Sequence, residues 1–108
     1  MNYTKPVMSL LHKLQQKNVA ITHVHDGEQW ERIQPGTKLK VRQDAAEIIT
    51  SVDESYVHIK HDGIVGRLFI VLGNDPSEIL CDYSYKEESI LQTILNEVSE
   101  EFYTQWES

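Results

Sequence analysis

The chain has 108 residues, 40% of them hydrophobic and 25% charged, with a net charge of −7 and one cysteine, Cys81. A domain of this size buries roughly 65% of the surface its unfolded chain exposes, so it folds without a metal or disulfide staple, and a single cysteine excludes an intrachain disulfide. The longest apolar run, Leu68 to Leu72, is strand-sized and far short of the ~20 residues a membrane span needs. The N-terminal stretch MNYTKPVMSLLHKLQQ also lacks the apolar core of a signal peptide, which points to one cytoplasmic domain over residues 1–108 with no membrane partner.

The charge is divided along the chain. Residues 1–42 hold seven basic and three acidic side chains, and residues 43–108 hold three basic and fourteen acidic ones. Such a division suits self-association, a basic partner, a face that repels nucleic acid, or plain solubility.

Thr4 reads as an N-cap with Pro6 in the first turn. Val7, Leu10, Leu11 and Leu14 then recur at helical spacing, predicting an amphipathic helix over residues 5–17 with Asn18 as its stop. Two Asp-Gly dipeptides follow, each between strand-like residues, and each predicts a hairpin with a two-residue type I′ turn. Around Asp26-Gly27, this register sets His25 against Glu28, Val24 against Gln29 and His23 against Trp30. Around Asp62-Gly63 it sets His61 against Ile64, Ile59 against Gly66, His58 against Arg67 and Val57 against Leu68.

Between the hairpins, Thr37 to Arg42 alternates as an edge strand does, and Asp44 to Val52 turns helical through Ala45, Ile48 and Ile49. Leu68 to Leu72 is apolar on both faces, the mark of an interior strand. Gly73-Asn74-Asp75-Pro76 breaks it, Glu78 to Tyr85 returns as a strand, and a helix runs from about residue 87 to Trp106 with a stripe of Leu91, Ile94, Leu95, Val98, Phe102 and Trp106. The order α-β-β-α-β-β-β-α makes an α+β fold, an antiparallel sheet with its helices mainly on one face.

The stretch THVHDGEQWE offers His23, His25 and Glu28 as a metal or acid–base set, since two histidines two apart on a strand share a face. The plainer reading, a hairpin tip with an ordinary cross-strand pair, is preferred. His58 and His61, three apart, fall on opposite faces and are expected to be solvent-facing. Ser77, in LGNDPSE, sits in a turn without a phosphate-loop pattern. Cys81 lies in an alternating strand with no cationic neighbour to activate it, as a buried and inert thiol. No cofactor is expected.

Two charged surfaces are candidates for binding. Lys13, Lys17, Arg32, Lys38, Lys40 and Arg42 offer a patch for nucleic-acid phosphates; against it, an extended 37–42 segment rich in lysine guards a sheet edge. Glu97, Glu100, Glu101, Tyr103 and Trp106, on a glutamate-rich helix that also carries Glu87, Glu88 and Glu107, offer a contact face for a basic partner or a second copy. The leading expectation is a non-enzymatic binding or regulatory domain acting through protein–protein contacts, with reversal of Glu97, Glu100 and Glu101 to lysine abolishing the contact and sparing the fold. A nucleic-acid binder is the second reading and a small metal-dependent enzyme the third.

Overall fold

The computed structural model describes residues 3–72, the backbone of residues 80–84, and residues 93–98, 100 and 101. Helix α1 spans Thr4–Gln16. It begins one residue earlier than the sequence suggests, because the Val7 amide donates to the Tyr3 carbonyl and makes Tyr3, not Thr4, the N-cap residue. Pro6 stays in the first turn, where its missing N–H costs nothing. At the other end Asn18 takes a φ of 62°. The Asn18 amide donates to Gln15 and the Val19 amide to Leu14, a Schellman closure in which the buried pair Val19 and Leu14 seals the helix end.

Strand β1 (Ala20–His25) pairs antiparallel with β2 (Trp30–Arg32). The register differs from the expected one: His25 opposes Trp30, Val24 opposes Glu31 and His23 opposes Arg32. The cause is the Asp26 carboxylate, whose Oδ1 accepts from the amides of both Glu28 and Gln29 at 2.9 Å. Those two bonds, and the Asp26 amide donating to Gln29, widen the turn to four residues. Gly27 alone takes a positive φ, 96°, so the two-residue turn does not form.

The TKLKVR segment is helical rather than extended. Helix α2 covers Lys38–Thr50, with Thr37 as N-cap and its hydroxyl accepting from the Lys40 amide at 3.1 Å. Lysine, leucine and arginine are good helix formers, and an alternation only six residues long does not outweigh a capped start. Gln15 locks α1 to α2. Its Nε2 donates to the Lys38 carbonyl at 3.0 Å, and its Oε1 accepts from Arg42 at 2.9 Å.

Strands β3 (Glu54–His61) and β4 (Ile64–Val71) form the second hairpin in the expected register, residue for residue. Asp62 and Gly63 both have positive φ, 47° and 81°, as a type I′ turn requires. His61 departs from expectation: it is buried on the core side, with Nδ1 3.1 Å from the Asn18 carbonyl. Strand β5 (Leu80–Ser84) pairs antiparallel with β4. Cys81 lies opposite Ile70, and its side chain is outside the described set. Residues 93–98 and 100–101 are helical, here α3. Ile94, Leu95 and Val98 of the expected stripe are buried, while Leu91, Phe102, Tyr103, Trp106 and the Gly73–Ser77 turn lie outside the described residues.

Among the described residues five strands run in the order β2-β1-β3-β4-β5, with β2 and β5 at the two ends of the sheet. Burial alternates along β3 and β4. Val57, Ile59, Leu68 and Ile70 join Ile21 and Val24 against Leu10, Leu11, Leu14, Ile49, Leu95 and Val98 in one core cluster. All three helices therefore cover one face, and the protein is α+β. Among the described residues nothing covers the other face, and no described helix is long and apolar enough to cross a membrane.

Candidate interaction surface on the open face of the sheet

A strand that buries alternate residues sends the others to the opposite face. On β3 those are Glu54, Tyr56, His58 and Lys60; on β4, Val65, Arg67, Phe69 and Val71. On β1 a bulge breaks the simple count. The register with β3 shifts between Ile21, opposite Ile59, and His23, opposite His58. The extra residue, Thr22, restores the phase, so that Ile21 and Val24 both point into the core and His23 and His25 both point out. Strand β2 adds Trp30 and Arg32.

Seven of these side chains, His23, His25, Trp30, Tyr56, His58, Arg67 and Phe69, form one connected cluster. Tyr56 and Phe69 are stacked, with centroids 4.7 Å apart. The Arg67 guanidinium lies 5.3 Å from the Trp30 ring centroid and 5.9 Å from that of Tyr56, within cation–π range of both. His25 meets Trp30 edge to face at 5.2 Å, and His23 meets His58 in the same manner at 5.6 Å. Trp30 and Tyr56 remain 40% and 39% exposed. An aromatic cluster of this size left open to water, bearing cations, is the composition of a binding surface.

The bulge also builds a polar knot. Thr22 Oγ1 is 2.7 Å from His58 Nδ1, 3.1 Å from His23 Nδ1 and 3.2 Å from the His58 carbonyl. The hydroxyl has one proton. Donated to the carbonyl, it leaves Oγ1 to accept from the Nδ1–H of both rings, which turns both Nε2 atoms outward. Burial holds the His58 pKa below its ordinary 6.5, and the positive charges of His23, Arg67 and Lys60 push in the same direction. His58 thus sits among cations, although the chain as a whole is acidic.

That shift has a sign in stability. The folded ring holds its proton more weakly than the unfolded one, so acidification below 6.5 loads protons preferentially onto the unfolded chain. The stabilisation is fully present above that value and is lost as pH falls toward the depressed folded pKa. Urea unfolding at about pH 7.5 and about pH 5.5 is expected to show a smaller pH-dependent loss in His58→Gln than in the wild type. An equal loss in both proteins would show that His58 is not the group responsible.

The residues singled out from the sequence fall differently. Glu28 sits in the turn with its amide bound to Asp26, while His25 faces Trp30, so the proposed His23–His25–Glu28 convergence does not form. Among the described residues no group of three or more His, Cys, Asp or Glu side chains is placed to hold a metal ion. The six basic residues lie on α1 or at its end, on β2 and on α2, and several of them are engaged within the fold. Lys17 pairs with Glu97 at 3.3 Å and Glu101 at 3.8 Å, and Lys40 pairs with Asp44 at 3.0 Å. Arg42 is held by Gln15, Lys13 lies on α1, and Arg32 and Lys38 border a cavity beside β2.

Glu97, Glu100 and Glu101 are exposed on α3. Two of them serve as the tie to α1 through Lys17. Reversing all three to lysine would crowd cations around Lys17, so lost binding in that triple variant would be mixed with a weakened α1–α3 contact. Glu100→Lys alone is the clean test of this surface: unchanged stability is expected, and a marked loss of stability would show that Glu100 too is structural.

Tyr56, Arg67 and Phe69 escaped the sequence reading as site residues. The signal was present in ESYVHIKH, where Tyr56, His58 and Lys60 share the face opposite Val57 and Ile59. It acquires meaning only with the strand order, which lays Trp30, His25, Tyr56 and Phe69 side by side. No family model matches the chain, and no curated protein or solved structure shows significant similarity to it.

Proposed function

We propose that the protein is a non-enzymatic binding domain that works through protein–protein contacts, and that the open sheet face is its contact surface. The observation that carries this reading is Arg67 held between Trp30 and Tyr56, with Phe69 stacked on Tyr56, on a face that no described element covers. Tryptophan, tyrosine and arginine dominate the energetic centres of protein interfaces, because they bring large area with few rotors to freeze. Here the rings and the guanidinium already fix one another, which lowers the ordering cost on binding. The flanking cations Arg32, Lys60 and Arg67 select for an acidic partner segment, a second copy of this acidic chain included. The lone cysteine is compatible with a cytoplasmic setting.

The test is capture from nuclease-treated lysate on the immobilised whole protein, wild type beside Arg67→Glu. The reading expects a discrete set of partners that the charge reversal removes. An identical set on both proteins would reject the sheet face as the contact.

A second reading rests on the same cations and rings, which also suit single-stranded nucleic acid, where bases stack on aromatic side chains and phosphates meet lysine and arginine. Capture that disappears with nuclease treatment, and binding of an oligonucleotide that weakens steeply with salt, would favour it over a protein partner.

A further inference from the structure

At the β2 border of the open face, sharing His23 and Arg32 with it, the chain forms a half-open pocket of about 680 Å³. Its walls are the end of α1, the first half of β1, the exit of β2 with the loop through Pro35 and Gly36, and the first turn of α2. The cavity exists because β2 is short. Ladder pairing between β1 and β2 begins at His23 and Arg32, so Ala20 and Ile21 have no strand neighbour on that side. The chain then detours through residues 33–37 before α2 begins.

The lining is amphipathic. Ile21 and Ile33, each 6% exposed, join Val19, at 2%, in an apolar wall, and Val41 and Pro35 extend it. Gln15 makes this wall rigid, since both ends of its amide are engaged by α2. Arg32 and Lys38 border the same space, and both are exposed. Neither has an acidic side-chain partner among the described residues, whereas the nearby Lys40 has Asp44.

We propose that this cavity binds a small amphipathic carboxylate, with its apolar body against Ile21, Ile33 and Val41 and its carboxylate met by Arg32 and Lys38. The volume lies within the roughly 300–1,000 Å³ of small-molecule sites. An apolar interior with two cations at its border discriminates among anions. A phosphate or sulfate would leave the apolar wall wet, and a neutral hydrocarbon would leave both cations unpaired. A single carboxylate on a hydrocarbon or aromatic body satisfies both parts, with the planar guanidinium of Arg32 suited to receive two oxygens at once. This site shares Arg32 with the border of the contact surface, but Trp30, Tyr56 and Arg67 take no part in it, so Arg67→Glu should leave decanoate binding unchanged.

The experiment is backbone amide NMR of the whole protein titrated with decanoate and, in parallel, with decan-1-ol. Decanoate is expected to shift the amides of Ala20, Ile21, Ile33, Gly36, Lys38 and Val41, and to bind about tenfold more tightly than the alcohol, the worth of one charge-assisted contact. The double variant R32Q/K38Q, altering two exposed side chains, should remove that preference and leave weak binding of both. Val41→Phe, which fills the cavity with a larger apolar side chain, should abolish both. Equal affinity for acid and alcohol in the wild type would overturn the proposal. So would shifts confined to Trp30, Tyr56 and Arg67, or a preference for decanoate that survives in R32Q/K38Q.

Discussion

Ile59→Ala is expected to cost about 2–5 kcal/mol of folding stability, the range for truncating a fully buried aliphatic side chain. Ile59 has no solvent exposure and sits on β3, the central strand of the sheet. It opposes Ile21 on one side and Gly66 on the other. Glycine contributes no side chain, so little on the β4 side can move in to fill the space that alanine would leave. Close-packed interiors relax only partly around such a hole, which places this site toward the costly end of the range. Tyr56→Ala, three residues away on the same strand but on the open face, is the matched control. It removes a half-exposed ring from a surface cluster and is expected to cost about 1 kcal/mol. Urea unfolding distinguishes the two, and similar losses would mean that the open face belongs to the stabilising core.

Arg67→Glu is expected to reverse that ranking, with little effect on stability and a large one on binding. The guanidinium contributes about 0.5–1 kcal/mol to the fold through its exposed contacts with Trp30 and Tyr56. At an interface the same group would sit at the centre of the aromatic cluster. Removing a central arginine and inserting a repelling charge should weaken partner binding by about 2 kcal/mol or more, at least thirtyfold. The neighbouring Lys60 and Arg32 would then offset only part of the introduced charge. The comparison is sharpest with Glu100→Lys, which alters an exposed residue on α3 and leaves the sheet untouched. Loss of the same partner with Glu100→Lys and not with Arg67→Glu would move the contact to the acidic helix.

Much of the architecture could be read directly because its determinants are local. The β3–β4 hairpin follows from Asp62-Gly63, where both residues accept positive φ and no side chain competes for the turn. Helix α1 follows from Val7, Leu10, Leu11 and Leu14, and its end from Asn18. The β1–β2 hairpin did not yield to the same rule. There the Asp26 carboxylate captures two amides and widens the loop, a side-chain choice that the Asp-Gly pair alone does not announce. The start of α2 was obscured because Lys-Leu-Lys-Val-Arg alternates as strands do, while the deciding contact, Thr37 capping the Lys40 amide, spans only three residues.

The contact surface was harder still, because it is assembled from four strands. Trp30 and Arg67 are 37 positions apart, and no spacing rule connects them. The shift of β1 register at Thr22 decides which face receives His23 and His25, and a bulge has no reliable signature in a single sequence. The charge division, in contrast, was plain in the sequence, but the pairing of its charges was not. The basic residues of the first half lie on or next to two packed helices and on a strand, and Lys17 pairs with two of the glutamates that the sequence offers to a partner.

Hydroxyl-radical footprinting of the protein alone and with its captured partner reads side-chain exposure at the rings themselves. Trp30 and Tyr56, both exposed in the free protein, should lose most of their oxidation on binding, while Leu39, exposed on α2, should keep its own. Undiminished oxidation of Trp30 and Tyr56 in the complex would place the partner elsewhere and contradict the assignment of the open sheet face.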